Sequence, residues 1–95
     1  MKKNEIITIL RDYKKQFATQ YGILDIGVFG SAARDEMGEH SDVDILVEFA
    51  EPTFDHFMDL KFRLEEIFQR PVDLVIKDTV KPRIKPIIEQ EVVYA

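Results

Sequence analysis

The chain has 95 residues, 45% of them hydrophobic and 33% charged, with 18 acidic against 13 basic side chains and a net charge of -5. That balance suits one soluble globular domain with one modest core, and it disfavours a broad non-specific grip on nucleic acid, which relies on dense Lys and Arg. Cysteine is absent, which excludes a disulfide frame or thiolate zinc site; with no apolar run of the ~20 residues a membrane span needs and no signal-peptide core after Met1, a cytoplasmic protein with neither membrane nor direct nucleic-acid partners is expected.

Taken in order, Asn4 is the expected cap of a first helix, with Ile6, Ile9, Leu10, Tyr13 and Phe17 on its apolar face and Arg11, Asp12, Lys14 and Lys15 on its wet face. Gly22 is its expected stop. Ile23 to Phe29 reads as a strand, and Gly27 inside it as a bulge or a close backbone approach. Gly30-Ser31 breaks that strand, Ala32 to Met37 reads as one or two helical turns, and Gly38 to Ser41 as a loop. Asp42 to Phe49 reads as a second strand, its period of two placing Asp42 and Asp44 on one face and Val43, Ile45, Val47 and Phe49 on the other. Thr53 caps a second long helix to Gln69, with Phe57, Met58, the stem of Lys61, Leu64, Ile67 and Phe68 as its buried stripe. Pro71 leads into a strand over Val72 to Ile76, Asp78-Thr79 is a turn, and Pro82 to Glu91 is a last helix in which Pro86 sits poorly. Val92-Val93-Tyr94 is a short apolar tail for the sheet or the helices. The fold class is α/β (α+β), a small mixed sheet packed with helices, as a single domain over residues 1–95.

The chemistry collects around Phe29 to Val47, where Gly30-Ser31, ten intervening residues and Asp42-Val43-Asp44 follow one another between two apolar runs. If the first two strands pair antiparallel, the glycine turn lies beside the start of the second strand. The helix after the second strand has the length of a parallel crossover, so Asp73 starts its strand next to Asp42 and Asp44. Clustered carboxylates repel by about 4 kcal/mol per pair at ~4 Å and intermediate dielectric, and something positive has to offset this. Oxygen donors without His or Cys suit Mg²⁺ or Mn²⁺, and two such ions can clamp an in-line displacement. The Gly30 and Ser31 amides and the Ser31 hydroxyl can donate to phosphate, with the short helix N-terminus behind them, and Arg34 can serve phosphates or a neighbouring carboxylate. His40 and His56 read as loop and helix surface, Glu36 and Glu39 as surface acids, and the basic run Lys77, Lys81, Arg83, Lys85 as a solvated face before a triphosphate contact.

The pattern Gly30-Ser31-X10-Asp42-X-Asp44 resembles the signature of the DNA polymerase β-type nucleotidyltransferase superfamily. More closely, Phe-Gly-Ser-Ala-Ala-Arg from Phe29, Ser-Asp-Val-Asp-Ile-Leu-Val-Glu-Phe from Ser41 and Pro-Val-Asp-Leu-Val from Pro71 resemble the minimal nucleotidyltransferases, antitoxins of HEPN/MNT toxin–antitoxin pairs. The resemblance implies that Asp42 and Asp44 hold the metal ions, that Asp73 is the third catalytic carboxylate and metal ligand, and that Gly30 and Ser31 hold the nucleotide phosphates, with Arg34 as a further candidate. It implies ATP as substrate with Mg²⁺, transfer of AMP to a hydroxyl, and a cognate HEPN toxin as partner, silenced on a tyrosine in what is called a type VII system. Relatives that modify antibiotics or tRNA carry an additional substrate domain; here nearly the whole chain belongs to the nucleotide fold, so the acceptor is expected on a separate protein. The alternatives are a non-catalytic antitoxin acting by binding and a small-molecule nucleotidyltransferase. One departure is Asp35, where the family usually has Gly; Asp tolerates a positive φ better than most residues.

Overall fold

The computed structural model describes residues Met1–Ala95. Helix α1 (Lys3–Tyr21) leads into strand β1 (Ile23–Phe29), a single turn α2 (Gly30–Ala33), strand β2 (Val43–Phe49), helix α3 (Phe54–Phe68), strand β3 (Val72–Ile76), a 3-10 turn over Lys77–Thr79, helix α4 (Lys85–Glu91) and a two-residue strand β4 (Val93–Tyr94). The strands form one sheet in the order β3-β2-β1-β4, with β2 and β3 parallel and the other two pairings antiparallel. This is the expected mixed sheet, and the crossover from β2 to β3 runs through α3 as its length requires.

One face of the sheet carries the core. Ile26 and Val28 of β1, Val43, Ile45 and Val47 of β2 and Leu74 of β3 meet Leu10 and Phe17 of α1 and Leu60 and Leu64 of α3. The alternation that buries these strand side chains turns Asp44 and Asp73 to the opposite face. Gly27 is a close approach, as expected: a Cβ there would lie 2.8 Å from the Val93 carbonyl oxygen of β4. The apolar tail thus joins the sheet edge.

Several local readings are corrected. Asn4 does not cap α1; the N-cap is Lys2, two residues earlier, and Glu5 reaches back to accept from the Lys2 amide at 3.1 Å. Lys14 leaves the wet face: its Nζ lies 3.1 Å from an Asp25 oxygen and donates to the Ala95 carbonyl at 2.8 Å, tying α1 to the sheet and the chain end. Helical turn α2 ends at Ala33, short of Met37, because the chain turns left-handed at Asp35, φ 56°. Strand β2 begins at Val43, which leaves Asp42 just outside it. The stripe of α3 centres on Leu60, Leu64 and Phe68, with Phe57, Met58, Lys61 and Ile67 only partly buried at its flanks. Helix α4 starts at Lys85 rather than Pro82, which places Pro86 in the first turn where its missing N–H costs nothing.

Asp35 shows why a residue other than glycine stands at a left-handed position. Its Oδ1 accepts the Lys3 amide at 2.6 Å, satisfying a first-turn N–H of α1 from across the fold. Replacing Asp35 by Gly relieves about 1 kcal/mol of backbone strain and loses a cap of about the same worth, so urea unfolding should change little. Asp35→Ala keeps the strain and loses the cap, and is expected to destabilise by about 1 kcal/mol.

Candidate active site

The site is built on one rung of the sheet. Phe29 is the register partner of Asp44 across the antiparallel pair, and Asp44 is the partner of Asp73 across the parallel pair. The strand β1 therefore delivers Gly30 to the end of the sheet where both carboxylates stand. Asp42 precedes that rung by two residues, at the end of the Gly38–Ser41 loop. That loop is held by the Gly38 amide donating to Ser41 Oγ at 2.9 Å and by Arg70 donating to the Gly38 carbonyl at 3.1 Å.

Gly30 is required twice over. Its φ is +66°, and a Cβ added to it would fall 2.2 Å from Asp44 Oδ2. The Asp44 carboxylate thus packs directly over the glycine backbone, in space that only a missing side chain provides. This contact joins the two halves of the Gly-Ser…Asp-X-Asp pattern.

Asp42, Asp44 and Asp73 are close enough to act on one another. The Asp44 carboxyl is pushed up to about 6, first by its burial, then by the negative charges of Asp73 and Asp42. Asp42 and Asp73 are exposed, Asp44 half-buried. No three acids close into a ready-made cage for a cation. The donor set is instead an open row of oxygens, which fits an ion of the Mg²⁺ kind, held by one or two carboxylates together with substrate phosphates.

The raised Asp44 value has a sign that can be checked. A carboxyl whose folded value lies above its unfolded one favours folding when protonated; the benefit is full below about pH 4 and is lost as pH rises through about 6. In chelator-treated buffer, Asp44→Asn should therefore be more stable than the natural protein at pH 7.5, by on the order of 1 kcal/mol once solvent screening is allowed for, and the gap should close at pH 4. Urea midpoints at the two pH values measure this.

The residues around the turn divide differently from expectation. The Gly30 amide, a candidate phosphate donor, donates to Glu91 Oε2 at 3.3 Å. Arg34 serves carboxylates, the second of its two expected uses: Nε donates to Glu36 Oε2 at 2.9 Å, and Nη1 pairs with Glu91 Oε1. Both glutamates favour the charged guanidinium, the hydrogen bond to Glu36 being the largest single cause. Glu36 is therefore a partner of Arg34 and not only a surface acid. Sequence reasoning assigned Glu91 no role; its signal, the closing Gln90-Glu91-Val92-Val93-Tyr94, carries no local chemistry. His56 stacks on Phe49 at the far end of the sheet, where Phe49 pairs with Ile23, and His40 is exposed in the loop; neither joins the site.

Next to Asp73 a groove of about 390 Å³ opens along the site face, walled by Phe29, Val75, Ile84 and Ile88, with Lys81 at its rim. Of the basic run, Lys77 pairs with Glu48 at 3.4 Å, and Arg83 and Lys85 are exposed.

Residues 10–95 match the family described as the nucleotidyltransferase domain. The chain belongs to that family. The match spans the turn, all three aspartates and Glu91. Protein adenylyltransferase MntA of Thermococcus cleftensis is 45% identical to this nucleotidyltransferase over 91 residues, covering 95% of this chain and 92% of that one. A solved structure assigned provisionally as a minimal nucleotidyltransferase superposes with a TM-score of 0.81 at 32% identity, covering 98% of this chain and 95% of that one. The fold is also that of a chain in the complex of tri-AMPylated Shewanella oneidensis HEPN toxin with MNT antitoxin, with a TM-score of 0.61 at 22% identity over 97% of this chain and 66% of that one. The nucleotidyltransferase fold expected from the motif is thus the fold observed. No helix is long and apolar enough to cross a membrane.

Proposed function

We propose that this nucleotidyltransferase moves AMP from ATP, with Mg²⁺, onto a tyrosine hydroxyl of a HEPN-domain toxin, and so acts as the antitoxin of that partner in the cytoplasm. The observation that carries this reading is the rung Phe29–Asp44–Asp73 ending on Gly30, which sets a phosphate turn against a row of carboxylates. The relative that shares 45% of the sequence and carries the name protein adenylyltransferase supplies the class of acceptor.

The chemistry is an in-line displacement. The acceptor oxygen bonds to the α-phosphorus of ATP, the bond from that phosphorus to the bridging oxygen breaks, and pyrophosphate leaves. Asp42 and Asp44 would hold Mg²⁺, which would supply neutralisation of the phosphate charge. Ser31, with its hydroxyl at the turn, and Arg34 orient the triphosphate tail. Asp73 lines the groove together with Phe29, Val75, Ile84 and Ile88, where an apolar wall suits the ring of an acceptor tyrosine. There Asp73 would help to hold the ion, and its carboxylate accepts the hydroxyl proton as the new bond forms.

The test is the intact mass of the HEPN-domain partner after incubation with this chain, ATP and Mg²⁺. A gain of one AMP or a multiple, localised to tyrosine by fragmentation, is expected. An unmodified partner that is nevertheless neutralised makes the chain a binding antitoxin. AMP found instead on a small molecule, without any protein partner, moves the acceptor to another class.

A further inference from the structure

Glu91 ends α4, and its place is fixed from both sides. Two residues later β4 pairs with β1, Val93 opposite Val28 and Tyr94 opposite Gly27, so the last turn of α4 is held against the start of the phosphate turn. From there one carboxylate reaches two targets. Oε2 accepts the Gly30 N–H at 3.3 Å, and Oε1 pairs with Arg34 Nη1. Glu36 takes Arg34 Nε at 2.9 Å. Two of the three guanidinium nitrogens are thus committed to carboxylates, and Nη2 remains to meet a ligand.

A purely structural account of Glu91 is weak. Arg34 is nearly half exposed, with 45% of its side-chain surface open, and surface ion pairs of that kind contribute little to stability. The location is also unfavourable for an acid, since Glu91 adds a further negative charge within Coulombic reach of Asp44. What Glu91 gains there is simultaneous hold on the turn that faces Asp44 and on the only arginine beside that turn.

We propose that Glu91 is a positioning residue for the triphosphate: it fixes the Gly30 turn and locks Arg34 so that its free nitrogen points to the phosphates, making the C-terminal α4–β4 segment part of the nucleotide site. This rests on the nucleotidyltransferase reading above. Orientation of a charge-assisted donor before the ligand arrives lowers the entropic cost of binding. The effect therefore belongs to nucleotide affinity rather than to the chemical step.

The test uses Glu91→Gln, which keeps an acceptor for the Gly30 amide and removes the ionic hold on Arg34. Three quantities are measured on the full chain: the Kd for Mg²⁺-ATP by calorimetry, the KM and kcat of AMP transfer, and the melting temperature. Kd and KM should rise about ten-fold, the scale of one charge-assisted hydrogen bond, with most of the loss in KM and little change in melting. Arg34→Gln, made from the other side of the pair, should give the same shift, and Glu91→Gln should add nothing in that background. Unchanged affinity in Glu91→Gln, tighter binding, or full additivity with Arg34→Gln would each overturn the inference; tighter binding would make Glu91 a competitor of phosphate. A natural protein that neither binds ATP nor transfers AMP would instead remove the functional reading, and the inference with it.

Discussion

Asp42→Ala combined with Asp44→Ala should lower AMP transfer by at least about 1000-fold, the scale of losing several kcal/mol of transition-state charge stabilisation. The double variant should fold. Neither side chain belongs to the core, and Asp44 in its ionised form is held against burial and the like charges of Asp73, Asp42 and Glu91. Melting at neutral pH should stay level or rise, so lost activity cannot be attributed to lost structure. Rates by intact mass, beside thermal melts of the same samples, provide the check. Transfer retained within ten-fold of the natural protein would mean that the carboxylate row is not the reacting centre.

Gly30→Ala is expected to be nearly as damaging by a different route. The alanine has to adopt φ +66° and put a methyl group where Asp44 Oδ2 now lies. Left-handed backbone costs about 1–2 kcal/mol outside glycine, and a domain of this size loses roughly 4–8 °C of melting temperature per kcal/mol. The larger consequence is geometric. Asp44 must swing away from the turn by an ångström or more, a displacement that costs about 100-fold in rate where reacting groups are aligned. The expected result is a folded protein, melting several degrees lower, with about 1% of the activity or less. Full activity in a folded Gly30→Ala protein would contradict the contact between the turn and Asp44 as the joint that aligns the site.

Much of this was legible in the sequence because the signals were local. Ile23 to Phe29 and Val72 to Ile76 are strands with the limits that glycine, proline and β-branched residues set. Alternation put Asp44 and Asp73 on the face away from the core, and the length of α3 dictated a parallel return that makes them neighbours. Asp35 stands where the family usually has glycine, and the backbone there is left-handed. What was not legible came from contacts between distant segments. Lys14 looked solvated by its helical neighbours, but Asp25 and the chain end draw it in. Glu91 carries no motif of its own; only the pairing of β4 with β1 brings it to Gly30 and Arg34. Local periodicity holds no record of either partner. The short-range errors, Asn4 as a cap and Pro82 as a helix start, have a common cause: helix ends are decided by which distant or neighbouring acceptor satisfies the free amides, not by cap preference alone.

The most direct test of AMP transfer is to follow two phosphorus labels. Incubated with the HEPN-domain partner and Mg²⁺, this chain should move label from α-labelled ATP onto the partner and release unlabelled pyrophosphate, while γ-labelled ATP should leave the partner unlabelled and put the label in pyrophosphate. Label transferred from the γ-position would show phosphorylation, and no transfer from either position with the partner still neutralised would show binding alone; each result would contradict a site built to displace pyrophosphate beside Asp42, Asp44 and Asp73.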